Sequence, residues 1–324
     1  MFNPSPEFRP GRLFEQAELQ YKAGAGDRQE IKHAVSADPA RLQRVTRLET
    51  FMIPRLGTLQ IKFPRWYRQQ ALLWAFVDFI LCLGIMAVAS GVLQAADGLD
   101  VEKQAMQKQL AEVDRSIAAD GVSVALLSRR GDLRFFLGQF PDAVSDYEQM
   151  VALQPDLDTS HWRRGIAYFV VGRYKDAARQ FEVYHSFDDV DRENGIWRFL
   201  SQYRAFGKEK AAEGLLKYAK DDREPFPAIY AMFEGKREPD DVLAEIRGLK
   251  ISPEQKSARL FYAELYVGLL ELAQNDQSSA LKHLQAAVAI DWPREAGFGP
   301  NYMWHVARLQ RDQLVEELRK AGKQ

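Results

Sequence analysis

Two stretches of sequence decide the fold: SRRGDLRFFLGQFPDAVSDYEQMVALQP at residues 128–155 and HWRRGIAYFVVGRYKDAARQFEVYHSF at residues 161–187. Five positions of matching residue type recur in them at a single offset of 34 residues. The pairs are Gly131 with Gly165, Gly138 with Gly172, Phe140 with Tyr174, Ala143 with Ala177, and Tyr147 with Phe181. An internal repeat of this length is the signature of a stacked helical array.

The residue types at these positions suit two helices joined by a short turn. Gly131 is small where the two helices approach each other, and Gly138 falls where the first helix should end, a place that favours glycine. Ala143 permits a tight crossing in the second helix, and Tyr147 lies one turn later to fill the space between the helices. Pro155 ends the second helix. The repeat therefore predicts an all-α solenoid of helix–turn–helix units.

Two further units are predicted from weaker patterns. A third unit matches the second at an offset of 35 residues, through Leu200, Tyr203, Gly207, Ala212 and Leu216. A fourth unit, at residues 261–293, has small residues and a leucine in the expected order: Gly268, Ala280, Leu284 and Ala287. Ser252 and Gln255 enclose Pro253-Glu254 as a capping box, so a helix should begin there. We expect about four repeats within residues 124–324.

The segments around the repeats are also predicted to contain helices. Residues 224–249 do not match the repeat and are expected to form a non-repeat insertion with one short helix at residues 240–247. Residues 97–123 are expected to form a capping or linker helix. Residues 302–318 have the pattern of an amphipathic helix that closes the apolar end of the array, as solenoids require.

An apolar segment precedes the repeats. Residues 71–93 form a run of 23 residues that only Asp78 interrupts with a charge, about the length that spans a bilayer as a helix. The residues before it are basic without acids among them, namely Arg55, Lys62, Arg65 and Arg68, whereas acids come first after it. The positive-inside rule then predicts that the repeats are translocated. We expect a protein that is periplasmic, or anchored to the cytoplasmic membrane and facing outward.

Two questions about this region stay open in the sequence. Small residues at 87–89 and 93–96 offer sites for a signal peptidase, so residues 71–96 are either a cleaved signal peptide or a retained transmembrane anchor. Residues 1–70 form a polar and basic tail, and a translation start at Met52 would remove most of it. Cys82 follows Phe79-Ile80-Leu81 instead of small residues, which argues against a lipoprotein.

Residues 124–219 and 261–293 resemble tetratricopeptide repeats of exported bacterial proteins, on the paired positions given above. The chain is also loosely similar in architecture to the NlpI-type envelope adaptor lipoproteins, although it lacks their lipidation cysteine. The resemblance implies a right-handed superhelix whose concave face, lined by the first helix of each unit, binds peptides or protein surfaces. It implies a non-catalytic interaction scaffold.

Charge and motifs narrow the expected function further. The chain has 44 Lys and Arg against 45 Asp and Glu, a balance that gives no general attraction to nucleic acid. The five histidines lack the spacing of metal ligands, no catalytic motif occurs, and the single cysteine lies in the apolar run. We therefore expect no metal, no cofactor and no enzymatic activity. The expected partner is a protein or peptide, with the membrane as a second contact if residues 71–93 are retained.

Three arginines and two tryptophans are the candidate partner-binding residues. Arg129, Arg163 and Arg198 occupy the same position of successive first helices and would form a ladder on the concave face. Guanidinium groups bind carboxylates and phosphates through paired hydrogen bonds, so the ladder favours an acidic partner. Trp162 and Trp197 lie on the same helices and would anchor apolar side chains.

The same residues allow other interpretations. The arginines could pair with acids of the chain itself, such as Asp132 and Asp158, and the tryptophans could belong to the core. The carboxylate clamp of chaperone-binding repeat proteins needs Lys and Asn where this chain has Ser128 and Asp132. The alternative functions are an envelope enzyme with carboxylates such as Glu234 or Asp240 in the insertion, and a structural subunit that self-associates.

Overall fold

The structure is a computed structural model that describes residues 99–220 and 222–322, and every regular element in these ranges is a helix. The chain divides into two compact units, and residues 105–322 belong to the first of them. The predicted tail and the apolar run at residues 71–93 lie outside the described residues. Among the helices of the described ranges, none combines the length and the apolar character needed to cross a bilayer.

The described part of the chain consists of consecutive helices joined by short turns. In chain order the helices are α1 (residues 99–120), α2 (Val124–Phe136), α3 (Phe140–Leu153), a 3-10 helix (Pro155–Thr159), α4 (Trp162–Val170), α5 (Tyr174–Tyr184), α6 (Arg192–Phe206), α7 (Lys208–Glu213), α8 (Phe226–Phe233), α9 (Pro239–Gly248), α10 (Pro253–Ala273), α11 (Gln277–Val288), α12 (Trp292–Glu295) and α13 (Phe298–Ala321). This order confirms the predicted all-α fold of stacked helical hairpins.

A glycine in the first helix of a hairpin lets a large side chain of the second helix lie against its backbone. A Cβ added at Gly131 would stand 2.6 Å from Cε1 of Tyr147, and one added at Gly165 would stand 2.6 Å from Cζ of Phe181. Both rings are buried in the core. The close approach and the aromatic filling predicted from the repeat are both present.

The turn inside the hairpin is the same in three units. Gly138, Gly172 and Asn275 have φ of 79°, 78° and 65°, and the amide of each donates to the carbonyl three residues earlier. L residues other than asparagine rarely adopt this left-handed conformation, which explains the residue types. Glycine at the first two turns was predicted, whereas the equivalent role of Asn275 was not identified in the sequence.

The third unit departs from its predicted register. Helix α7 has only six residues, so Leu216 lies outside it, and Ala211 is buried in place of the exposed Ala212. Residues 215–219 run without regular structure instead of continuing the helix. In this segment the Tyr218 hydroxyl donates to the Asp191 carbonyl at 2.9 Å, which holds the chain against the start of α6. The repeat pattern contains no signal for this contact.

Residues 224–249, predicted as a non-repeat insertion, contain a helical hairpin of their own. The short helix predicted at residues 240–247 is α9, and α8 precedes it. Gly235 has φ of 70°, and its amide donates to the Met232 carbonyl at 2.9 Å, as in the turns of the other units. The described residues therefore hold five hairpins where about four repeats were expected.

Helix α10 lies at the centre of this unit. Residues 261–270 are all buried, so the helix is covered on every side. Its start confirms the predicted capping box, since the Gln255 amide donates to Ser252 Oγ at 3.1 Å and the Ser252 amide donates to Gln255 Oε1 at 3.2 Å. Helix α10 packs against α9, α11 and α6, so it joins the units before and after it.

Candidate functional site

Helix α13 contacts the first helices α2 and α4, and a cavity separates it from α6 and α10. The surface of α2, α4, α6 and α10 on this side is called the groove below. Tyr302 of α13 stacks on Phe135 of α2 and meets Trp162 of α4 edge to face, with ring centroids 4.9 Å apart in both cases. His305 stacks on Phe136 at 4.1 Å. The helix predicted to close the end of the array therefore packs against its first unit, because its aromatic face matches the aromatic side chains there.

A buried polar cluster lies beneath α13. We call the part of the groove that this helix covers the closed half. Arg163 donates to both carboxylate oxygens of Asp132, at 2.7 and 2.6 Å, and to Ser128 Oγ at 3.1 Å. Tyr147 donates to Asp132 at 2.7 Å, and its hydroxyl lies 3.3 Å from that of Tyr302. The two residues at the clamp positions, Ser128 and Asp132, are thus both engaged by an arginine of the chain itself.

The three arginines of the predicted ladder have different surroundings. Arg163 is held by Asp132, as the alternative interpretation of the sequence allowed. Arg198 donates to the carbonyl of Gly214 and lies 3.5 Å from Glu182. Arg129 is exposed and makes no ion pair with any residue that the structure describes. The ladder is therefore not a row of three free guanidinium groups, although Arg129 remains available.

The two tryptophans lie in different environments as well. Trp197 is 2% exposed and packs in the core against Phe169 and Phe181, at centroid distances of 5.4 and 6.1 Å. Trp162 is half-buried, and the rings of α13 cover it, with Phe298 at 6.3 Å. Neither indole presents a free face in the groove. Their use by a partner stays a prediction.

The groove is open beside the C-terminal half of α13. A cavity of about 680 Å³ lies there, between α13 and the ends of α4 and α10. Its apolar lining is provided by Phe169, Leu269, Leu272, Leu309 and Leu314. This volume falls within the range of pockets that hold ligands. The groove thus has a closed half, filled by α13, and an open half, which is this cavity.

Arg204 and the ring of Tyr174 form one rim of the open half. Arg204, at the end of α6, donates to the Tyr174 hydroxyl at 3.1 Å, and its guanidinium carbon lies 5.2 Å from the centre of that ring. Lys175 and Phe206 do not line the cavity, and Lys175 Nζ lies 5.8 Å from the ring of Phe206, which is 53% exposed. Arg204 and Phe206 were not predicted from the sequence, because they lie outside the register of first-helix positions that the arginine ladder occupies. The two residues stand in the last turn of α6, directly before Gly207.

The opposite wall carries acids of α13 that are already paired. Asp312 accepts from Arg311 at 2.6 Å, and Glu316 accepts from Arg319 at 2.7 Å. Each of these ion pairs joins two residues of the same helix, at the surface. The open half therefore has a basic rim at Arg204 of α6, while its α13 side carries Asp312, Glu316, Glu317 and Lys320.

Carboxylates with raised pKa values lie elsewhere. Burial raises the pKa of Glu193 to about 7, against the effect of Arg223, whose Nη2 lies 2.6 Å away, and with the support of Asp191. None of these residues lines the cavity. Glu234 and Asp240, the acids named for the alternative enzyme, are both exposed, and Glu234 pairs with Lys236 at 3.0 Å. The acids of the insertion do not converge on a pocket.

The acidic turn before α6 works as a helix cap. Asp191 accepts from the Glu193 amide at 3.0 Å, and Asp188 accepts from the Val190 amide at 2.9 Å. Across the ranges that the structure describes, no three His, Cys, Asp or Glu side chains are grouped so that they could hold a metal ion.

No family model matches the chain. Among solved structures, the chain is similar to a tetratricopeptide repeat protein from Parabacteroides merdae ATCC 43184, with 15% sequence identity and a TM-score of 0.39. The similarity covers 64% of this chain and 78% of that one.

Proposed function

We propose that this protein is a non-catalytic scaffold that binds a peptide or a protein segment in the open half of the groove. The cavity of about 680 Å³ is the observation that carries the proposal, because it combines an apolar floor with polar and charged groups at its edge. The raised-pKa acids at α6 lie outside it. This favours binding over catalysis at this site.

Helix α13 supports the proposal as an internal example of a bound segment. It is a helix that lies on α2 and α4 through Phe298, Tyr302 and His305. A surface that accepts aromatic side chains of one helix offers the same packing to a similar segment of a partner. The open half is the part of this surface that α13 leaves uncovered.

The proposal includes a place for the protein outside the cytoplasmic membrane. The support is the distribution of charge around residues 71–93, basic before the run and acidic after it. Of the candidate residues from the sequence, we retain Arg129 as a further contact, since its guanidinium is exposed. Arg163, Arg198 and Trp197 make their contacts within the chain, so we assign them a structural role and not a role in binding.

The test is a selection of random 12-residue peptides on the full-length chain, followed by affinity measurements on two variants. Gln313 is exposed and lines the cavity, so Gln313→Trp should fill it. Val315 is exposed on the same helix and does not line it, so Val315→Trp is the matched control. We expect Gln313→Trp to weaken binding about tenfold or more, which corresponds to about 1.4 kcal/mol, and the control to bind normally.

Three other outcomes would contradict the proposal. Equal affinity of both variants would place binding away from the cavity. Failure to select any peptide would reject a peptide-binding scaffold. A molecular mass in solution that rises with protein concentration, without peptide binding, would favour the self-associating subunit instead.

A further inference from the structure

Arg204 lines the cavity and has no acidic partner in the part of the chain that the structure describes, unlike Arg163 and Arg311 near by. Arg163 is paired with Asp132, and Arg311 is paired with Asp312. Arg204 is exposed and contacts Tyr174, and no carboxylate of the described residues lies within ion-pair distance of it. Its charge is therefore available to a molecule that enters the open half.

Arg204 has a hydrogen-bond partner and a ring contact within the chain itself. Its hydrogen bond to the Tyr174 hydroxyl and its place over the ring restrict the rotamers of a long side chain. A guanidinium that is already held loses less conformational entropy when it binds a carboxylate, and its planar fork matches the two carboxylate oxygens. Arg204 is thus a preorganised anion contact.

A second cation and an exposed ring lie close to Arg204 and Tyr174 in the chain, although neither lines the cavity. Lys175 lies beside Phe206, and the neighbouring acid, Asp176, is engaged by Arg173 at 2.7 Å. Phe206 is the kind of exposed aromatic residue that marks a contact surface when cations flank it. The cation that the cavity itself offers on this side is therefore Arg204.

The α13 side of the open half carries both signs of charge. Its lining includes Asp312, Glu316, Glu317 and Lys320, and Asp312 and Glu316 are paired with basic neighbours. Arg204 is therefore the cation of the lining that has no acid of the described ranges within ion-pair distance. The floor between the two walls, which includes Phe169 and Leu269, is apolar.

We propose that the segment bound in the open half is an acidic peptide that places a carboxylate on Arg204 and an adjacent large apolar side chain on the cavity floor. The inference rests on the proposed function and adds the chemistry of the partner to it. A single unpaired cation beside an apolar floor fits one peptide carboxylate, whereas a nucleic acid backbone needs a longer run of positive charge.

The experiment is the same peptide selection, carried out in parallel on the full-length wild type, Arg204→Glu and Arg115→Glu. Arg115 is an exposed arginine of α1 without an ion pair in the described ranges, so its reversal changes the net charge equally. We expect wild-type peptides rich in Asp or Glu beside Leu or Phe. These peptides should bind Arg204→Glu at least about tenfold more weakly and Arg115→Glu normally. Peptides selected on Arg204→Glu should have Lys or Arg where the wild-type peptides have Asp or Glu.

The possible failures are distinguishable. Acidic peptides that bind Arg204→Glu as tightly as the wild type, or selected peptides without acidic residues, would overturn this inference and leave the proposed function intact. Absence of any selected peptide would reject the proposed function itself. Thermal melts of both variants check folding, and Arg204→Gln, which keeps the length and removes the charge, should fall between the wild type and Arg204→Glu in affinity.

Discussion

The two halves of the groove are built from the same kind of helices and use their arginines differently. In the closed half, Arg163 has Asp132 within reach, and Tyr302 covers the pair. In the open half, Arg204 has only Tyr174 beside it and remains exposed. The presence or absence of one acid at the right place thus decides whether an arginine contributes to folding or is left for a ligand.

The energetic consequences of the two arrangements are opposite. The side chains of Asp132 and Arg163 are 13% and 17% exposed, so both charges lose most of their hydration on folding. The ion pair between them offsets this loss. Arg204 keeps its hydration, and its removal leaves no buried charge. Substitutions in the closed half should therefore act on stability, whereas substitutions in the open half should act on binding.

The largest expected effect comes from removing the acid of the closed half. Asp132→Asn leaves the Arg163 guanidinium buried without a counter-charge and weakens the hydrogen bond from Tyr147. We expect the free energy of unfolding to fall by about 3 kcal/mol, measured by urea denaturation. Glu112→Gln, at an exposed site on α1, should change it by less than about 0.5 kcal/mol. Equal stability of the two variants would mean that the buried pair is not important.

A smaller loss is expected from crowding the same half. In Gly131→Ala the new methyl would meet the Tyr147 ring at 2.6 Å, and this ring cannot withdraw because it is fully buried. We expect a cost of about 2 kcal/mol in thermal or urea unfolding. Gly248→Ala is the matched control, because no atom lies within 4 Å of its added Cβ. A control variant that loses as much stability would show that the glycine contact in the hairpin has no special role.

A pH-dependent effect is expected between helices α10 and α11. His283 of α11 lies 2.6 Å from Glu264 and 3.7 Å from Glu271, both of α10. The hydrogen bond to Glu264 raises the pKa of His283 above its ordinary value of 6.5, although burial opposes it. A raised pKa in the folded state means that this stabilisation is complete below that ordinary value and is lost as pH rises through the folded value.

The melting temperature of the wild type should therefore fall between about pH 6 and about pH 9 more than that of His283→Gln. The change should be smaller than the losses in the closed half, because one proton is involved. Parallel pH profiles of the two proteins would show that His283 does not carry the effect. A steeper fall in the variant would mean that the sign of the pKa shift is wrong.

The smallest effect on stability is expected at the basic rim. Arg204→Ala should change the free energy of unfolding by less than about 0.5 kcal/mol, because its side chain is exposed and has no ion pair to lose. The same variant should lose affinity for the acidic peptides described above. A large loss of stability would remove the contrast between the halves and assign Arg204 to the support of the fold.

The local part of this architecture was predictable from the sequence. The contacts of Gly131 with Tyr147 and of Gly165 with Phe181 repeat at one spacing, so five matched positions identify both hairpins. Helix α9 and the capping box at Ser252 were predictable for the same reason, since each depends on residues close in the chain.

The rest depended on contacts between distant residues. The repeat spacing predicted a ladder of Arg129, Arg163 and Arg198, but it could not show that Arg163 is held by Asp132 of the neighbouring unit, 31 residues earlier in the chain. The open half was not predictable, because it is the space that α13 leaves beside α10. The spacing of a repeat does not predict where a helix outside the repeat, such as α13, will pack.

The contact of α13 with the first hairpin has a consequence for how the chain folds. The Tyr147 and Tyr302 hydroxyls meet across 155 residues, and Arg308 donates to the Phe136 carbonyl across 172 residues at 2.7 Å. In a simple solenoid each unit contacts only its neighbours, so folding can begin anywhere and spread along the chain. Here the first hairpin of the described residues is completed by a helix that comes far later in the chain. This hairpin keeps its aromatic face uncovered until α13 has been synthesised, and removal of α13 would uncover it as well as α11, against which α13 also packs.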